Sequence, residues 1–468
     1  MEKLSTEIIE MIIDQLQQDS QLALYATISR KWQALVEART FSSLDVDSDH
    51  LDPFRSACSS NPRRQATLRA LHFNVVLPTS SEWEDHHANF RTAFHSLFSL
   101  MHEWEKDQAS STAFGSVELR TRVKVAARRA DDDDDDDDAH SKSLDSTSSS
   151  HVEHLPSMRP DDIASLPTVR RFNHFRVDVI LAAAIDPFTT CQLAIRLPRL
   201  ESLRLEYWDP DHWDPAGRAA YQPPHRSARG DEPDNHGVEV QNFHDDQDVD
   251  AVCEAVRQLA EAGTLAELEL DDILVSPDLF QDRRHSDSIS PTSQAAAAAA
   301  APWPAMRSFH VRSGIVAPGG AWYYTGDPGA VTPLSWDEEG IDEDSDSDND
   351  GGGRRTPAHW WRNRPVPELF NPLVLAMAGA VLRMPRLRAG ALTIRSEQGL
   401  LDYVALQCAA PGTPLQKDMG DGTRFLDMEC RRWMAWIGEN TEWEVPAEVR
   451  DSWKEFVGEA GKISVVYE

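Results

Sequence analysis

Residues 197–205 read Leu-Pro-Arg-Leu-Glu-Ser-Leu-Arg-Leu, a proline stop followed by leucines in the pattern P-x-L-x-x-L-x-L. Period-2 alternation at its end sets Leu203 and Leu205 on one side of a short strand and Arg204 on the other. Related versions stand at 166–172, 264–270 and 303–311, and fainter ones at 41–46 and 68–73. At 384–387 the strand signal is delayed to Leu392 and Ile394. Several copies follow a helical stretch, as 249–262 precedes Leu265 and 368–383 precedes Leu387.

A helix, a proline or glycine stop and a short alternating strand resemble the unit of a leucine-rich repeat, in which each strand's apolar side is covered only through its neighbours. The expectation is an α/β fold in which residues 41–468 form a degenerate, irregular leucine-rich-repeat-like solenoid of parallel strands joined by right-handed crossovers. L-x-x-L-x-L also occurs on strands of other α/β folds, and the intervals here are uneven. Three segments, 130–150 (Asp and Ser), 281–301 (ending in alanines) and 335–355 (acidic, then glycine), read as disordered insertions. A scaffold tolerates them because loop-closure entropy grows only logarithmically with length.

Ahead of the repeats, residues 1–40 form a separate helical module. Ile8, Ile9, Ile12, Ile13 and Leu16 recur at helical spacing, with Ser5 or Thr6 as cap and Glu7 in the first turn. After Asp19 and Ser20, the positions Leu22, Tyr25, Ser29, Trp32 and Val36 predict one continuous helical face. The two stretches resemble the F-box, L-P-x-E-[IL]-[IL]-x-x-[IL]-x-x-x-L followed by L-x-x-x-x-x-V-[CS]-[RK]-x-W-x-x-L. The pattern is met at Leu4, Glu7, Ile8, Ile9, Ile12, Leu16, Leu22, Ile28, Ser29, Arg30, Trp32 and Leu35, while Ser5 stands where the family prefers proline. The body of the chain is similar in style to the large F-box families of filamentous fungi.

The resemblance implies a non-catalytic substrate receptor of a cullin-type (SCF) ubiquitin ligase. Leu4, Ile8, Ile9, Ile12, Leu16 and Leu22 would bind the Skp-type adaptor, and Tyr25, Trp32 and Leu35 would pack inside the motif. The partners implied are the Skp-type adaptor, the cullin core and a protein substrate, with no catalytic residue, metal or cofactor. A hairpin of this size rarely folds alone, so its apolar surface calls for a partner or for packing on the first strand. The alternative is a non-ligase scaffold whose acidic inserts bind basic proteins.

Charge narrows the field further. Lys plus Arg is 46 against 78 acidic residues, a net of −32, and residues 131–138 and 337–350 alone carry seventeen of the negative charges. Such a balance argues against nucleic acid, where binding would meet phosphate repulsion instead of counterion release. Charge blocks of this kind read first as solvated linkers. Five cysteines (Cys58, Cys191, Cys253, Cys408, Cys430) lie far apart with no C-x-x-C pair, which suits reduced thiols and a cytoplasmic or nuclear protein. The longest apolar run, 373–382, is half of a membrane span, so no membrane association is expected.

Two constellations look chemical. Asp85, His86, His87, His95 and His102 suggest metal ligands, but Phe90, Phe94, Leu97, Phe98 and Met101 at helical spacing make a solvated helix face the simpler reading. Trp360, Trp361, Trp433, Trp436, Trp443 and Trp453 suggest an aromatic ligand surface. Core filling is favoured, with Trp433 and Trp436 expected on one helix face. No G-x-S-x-G, Walker or G-x-G-x-x-G motif occurs, and the glycines 351–353 continue an acidic stretch that would repel phosphate.

Overall fold

The computed structural model describes residues 4–16, 22–59, 61–78, 83–107, 115–125, 157–178, 185–207, 250–281, 303–326, 362–395, 403–415, 428–439 and 441–467. The chain is mixed α/β with mostly parallel strand pairing, and it divides into two compact units, Met1–Trp208 and Asp209–Glu468. The segments expected to be insertions, 130–150, 281–301 and 335–355, lie outside the described residues except for Gln281.

The first unit opens with helices α1 (Thr6–Leu16), α2 (Leu22–Tyr25) and α3 (Arg30–Thr40). Strands β1 (Ser43–Asp47), β2 (Ala70–Leu77), β3 (Val117–Val125), β4 (Phe172–Val177) and β5 (Ser202–Glu206) follow. They lie side by side in chain order and are all parallel. Helices fill the crossovers: α4 (Leu51–Ser59) and α5 (Pro62–Thr67) join β1 to β2, and α6 (Trp83–Asp107) joins β2 to β3. Between β3 and β4 stands α7 (Pro160–Ala164), and between β4 and β5 stands α8 (Pro187–Ile195).

Register turns the strand pattern into a core. Leu44, Leu71, Leu119, Phe175 and Leu203 pair in one row across the five strands. Val46, Phe73, Thr121, Val177 and Leu205 form the next row. All members are buried except the half-buried Leu44 at the end strand. Helix α6 seals the middle of these rows with Phe90, Phe94, Leu97, Phe98 and Met101, every one buried. Phe94 meets Phe73 edge-on at 5.7 Å between ring centroids, a favoured aromatic geometry. Burial of each such side chain contributes about 1.5–3 kcal/mol, which is what fixes α6 across the strands.

The second unit begins with α9 (Ala251–Glu261), capped by Asp250, whose carboxylate accepts from the Cys253 N–H at 3.1 Å. Its principal strands are β6 (Glu267–Asp271), β7 (Ser308–Ser313), β10 (Ala389–Arg395), β11 (Tyr403–Ala409), β12 (Arg432–Ile437) and β13 (Lys462–Tyr467), neighbours in that order. A small antiparallel pair, β8 (Tyr324–Gly326) and β9 (Arg362–Pro365), precedes α10 (Pro367–Leu382). Helix α11 (Ala447–Val457) connects β12 to β13. The strands β6, β7 and β10 are mutually parallel, β11 runs antiparallel to both its neighbours, and β13 is parallel to β12.

Here too the rows run straight, with Leu268, Phe309, Gly390, Cys408, Trp433 and Ile463 paired in sequence. Glycine is required at 390 by space. A Cβ there would stand 2.5 Å from the Phe309 ring and 2.9 Å from the Cys408 sulfur. Trp433 and Trp436 lie on strand β12 and not on a helix, so their odd spacing sends them to opposite sides of the sheet. Trp433 stacks on Trp453 of α11 at 4.9 Å, whereas Trp436 joins Ala405 and Met434 in a separate cluster. Both sides of β12 are therefore buried, and such a strand reads as a continuous apolar run that periodicity alone cannot assign. Trp443 and Trp453 are also buried, while Trp360 and Trp361 lie outside the described residues.

Among the described residues no helix is long and apolar enough to cross a membrane.

Candidate interaction surfaces

The N-terminal helices have a small core of their own: Ile9, Ile13, Trp32 and Val36 are buried, and Leu4, Ile12, Leu16, Leu22, Tyr25, Ala26 and Leu35 pack half-buried around them. The Ser5 hydroxyl accepts from the Ile8 N–H at 3.4 Å, so Ser5 caps α1. Backbone donation and the Ser5 side chain hold the exposed Glu7 carboxyl below its usual range. Ser29 does not continue one helical face. Its extended backbone breaks the chain between α2 and α3, and its hydroxyl accepts from the Trp32 N–H at 3.4 Å. The expected single stretch is therefore two helices, because a serine supplies a better cap than helix interior.

Two long contacts tie the module together. Lys31 Nζ donates to the Leu4 carbonyl at 2.8 Å, and Arg39 pairs with Asp14 at 3.2 Å. A third joins α3 to α5, where Arg64 pairs with Glu37 at 2.7 Å and lies over the Phe41 ring at 4.6 Å. The Arg64 guanidinium holds the Glu37 carboxyl below its ordinary value.

Of the residues expected at an adaptor interface, Ile8 is exposed (46%), Ile9 is in the core (1%), and Leu4, Ile12, Leu16 and Leu22 are half-buried against that core. Tyr25, Trp32 and Leu35 pack inside the module, with Tyr25 and Trp32 ring centroids 6.3 Å apart. The exposed apolar residues are Ile8, Met11, Leu24 and Ile28. Met11 and Leu24, at 68% and 62%, are the two that pattern matching did not single out. Met11 follows Ile8 by three residues on α1, an outward i, i+3 pair legible in the sequence once Ile9 and Ile13 are assigned inward.

The second surface is the polar side of the first unit's strands. Asp45, His72, Arg120, Arg176 and Arg204 pair across it in one row. Most of the charges on this side have an opposite neighbour. Arg120 pairs with Glu118 at 2.6 Å, Lys124 with Asp47 at 3.0 Å, Arg122 with Asp178 at 3.1 Å and Arg204 with Glu206 at 3.4 Å. Arg176 bonds both Asp178 and Glu206. Asn74, fully buried, donates to Asp45 and Asp47 and holds the acidic end together. Burial pushes the Asp178 carboxyl up, but Arg176 and Arg122 outweigh it and hold the group below its usual value. The surface is thus a preassembled lattice of opposite charges rather than a field of one sign.

The chemistry-bearing clusters are occupied by structural bonds. His86 and His102 each bond a backbone carbonyl, of Pro78 and Thr168, and His87 bonds Ser157 from α6. Asp47, Asp49 and His50 bring ligand atoms within 4.8 Å of one another, but Asp47 already accepts from Lys124 and Asn74. All five cysteines are free thiols. Burial pushes the Cys58 thiol up to about 11 and Cys408 to about 12, well away from a reactive thiolate. Compared with known protein families, with curated proteins and with solved structures, the chain matches none.

Proposed function

We propose that this chain is a substrate-recruiting adaptor of F-box type, docking on a Skp-type adaptor of a cullin ubiquitin ligase through its N-terminal helices and holding a protein substrate with the rest. The observation that carries the reading is the division of labour within residues 4–40. A module with F-box spacing closes its own core around Ile9, Ile13, Trp32 and Val36, yet leaves Ile8, Met11, Leu24 and Ile28 in water. Each of these contributes about 1.5–3 kcal/mol when a partner covers it. The succession of parallel strands in register supports reading the body as a leucine-rich-repeat-like solenoid. In such arrays the polar strand face carries the recruited protein, here the charge lattice around Arg120, Arg176 and Arg204.

The test is affinity purification of the chain and of the Ile8→Asp, Leu24→Asp double variant. Both positions are exposed, so the fold is expected to survive, and a charge set into a covered interface costs several kcal/mol. The expected result is recovery of adaptor and cullin with the wild type and their loss with the variant. Absence of the adaptor from the wild-type sample, or equal recovery with both, overturns the proposal. Basic proteins released by salt, in place of the adaptor, would speak for the non-ligase scaffold.

A further inference from the structure

Strand β1, an end strand of the first unit, and strand β13, an end strand of the second, are built differently. Strand β1 carries Asp45 and Asp47, charges of the kind that keep a sheet edge from pairing with another chain. Strand β13, Lys-Ile-Ser-Val-Val-Tyr, has one charge, no proline and no bulge against β12. Among the described residues no strand pairs with its far edge, Ile463 to Val466 are half-buried, and Tyr467 is 58% exposed.

Backbone directions say what the far edge offers. The Lys462 N–H donates to the Arg431 carbonyl on the β12 side at 3.0 Å. Strand alternation then aims the backbone groups of Ser464 and Val466 the same way and those of Ile463, Val465 and Tyr467 outward. We propose that β13 pairs with β13 of a second copy of this chain, antiparallel about a two-fold axis at Val465.

That register uses the outward groups and only those. Val465 exchanges both hydrogen bonds with Val465 of the second copy, and Ile463 does so with Tyr467 of the second copy. A two-fold axis perpendicular to the strands keeps like sides together, so these pairs continue the row that carries Trp433 and Ala435. Valine facing valine and isoleucine facing tyrosine are favourable cross-strand pairs. A shift by two residues leaves Tyr467 opposite Gly461, which has no side chain to pair with it.

Sedimentation velocity of the full chain over a concentration series tests the assignment, with Val465→Pro as the variant. Proline removes an N–H that β12 does not use and is tolerated at an edge, so far-UV circular dichroism and melting temperature should match the wild type. The expected result is a concentration-dependent dimer whose dissociation constant rises about tenfold or more in the variant, since two central hydrogen bonds are lost at once. Ile463→Lys, an edge charge that keeps every backbone group, decides the matter if the proline variant misfolds, and should weaken the dimer likewise. A wild type that stays monomeric at every concentration, or a dimer indifferent to the edge variants, overturns the proposal.

Discussion

Thr121 shows how closely the rows are matched. It is fully buried between Phe73 and Val177, and among the described residues its hydroxyl has no hydrogen-bond partner. A buried hydroxyl without a partner costs more than an isosteric methyl, so Thr121→Val should raise stability by about 1 kcal/mol in urea unfolding. A loss of stability would show that the hydroxyl is satisfied. On the opposite side, Asp178 is held below its ordinary carboxylate value by Arg176 and Arg122. A depressed carboxylate contributes stability that is present above its unfolded value, near 4, and is lost as pH falls through the folded one. Asp178→Asn should therefore cost about 1–3 kcal/mol at neutral pH and progressively less below about pH 4. Urea midpoints of both proteins across that range check the sign, and a penalty that grows with acid would refute it.

The strands that the sequence announced are those with one polar side. Leu203-Arg204-Leu205, Leu268-Glu269-Leu270 and Phe309-His310-Val311 alternate, and each lies on a strand with its apolar members buried. Strand β3 alternates as clearly, Val117-Glu118-Leu119-Arg120-Thr121-Arg122-Val123, but it lacks the proline or leucine stop that marked the other copies. Strands β11 and β12 were illegible for a physical reason, since residues buried on both sides carry no period. The N-terminal module was legible as apolar helices. Which residues face outward was not, because Ile8 and Ile9 are chemically alike and only the position of Trp32 distinguishes them. The turn at Ser29 hid in the same way, since i, i+3 and i+4 spacings survive a break when the next helix resumes in phase.

The net charge of −32, much of it gathered in two runs, opposes compaction through self-repulsion. The ion pairs that salt would weaken are mostly half-exposed surface pairs, each worth little. Screening of self-repulsion should win. Raising ionic strength from about 0.01 M to about 0.5 M shortens the screening length from about 30 Å to under about 10 Å and should raise the melting temperature. Differential scanning calorimetry at the two salts tests this, and a fall would mean that attractive pairs dominate. The straight rows carry a consequence for anyone who edits this protein. Leu44, Leu71, Leu119, Phe175 and Leu203 meet at one height whatever length of chain separates them, so the sheet keeps no memory of how much sequence was spent on a crossover. A reporter domain spliced in after Val125 enters a crossover and leaves every rung where it was. A single codon added after Thr121 turns the rest of β3 inside out, trading Val123 for its charged neighbours.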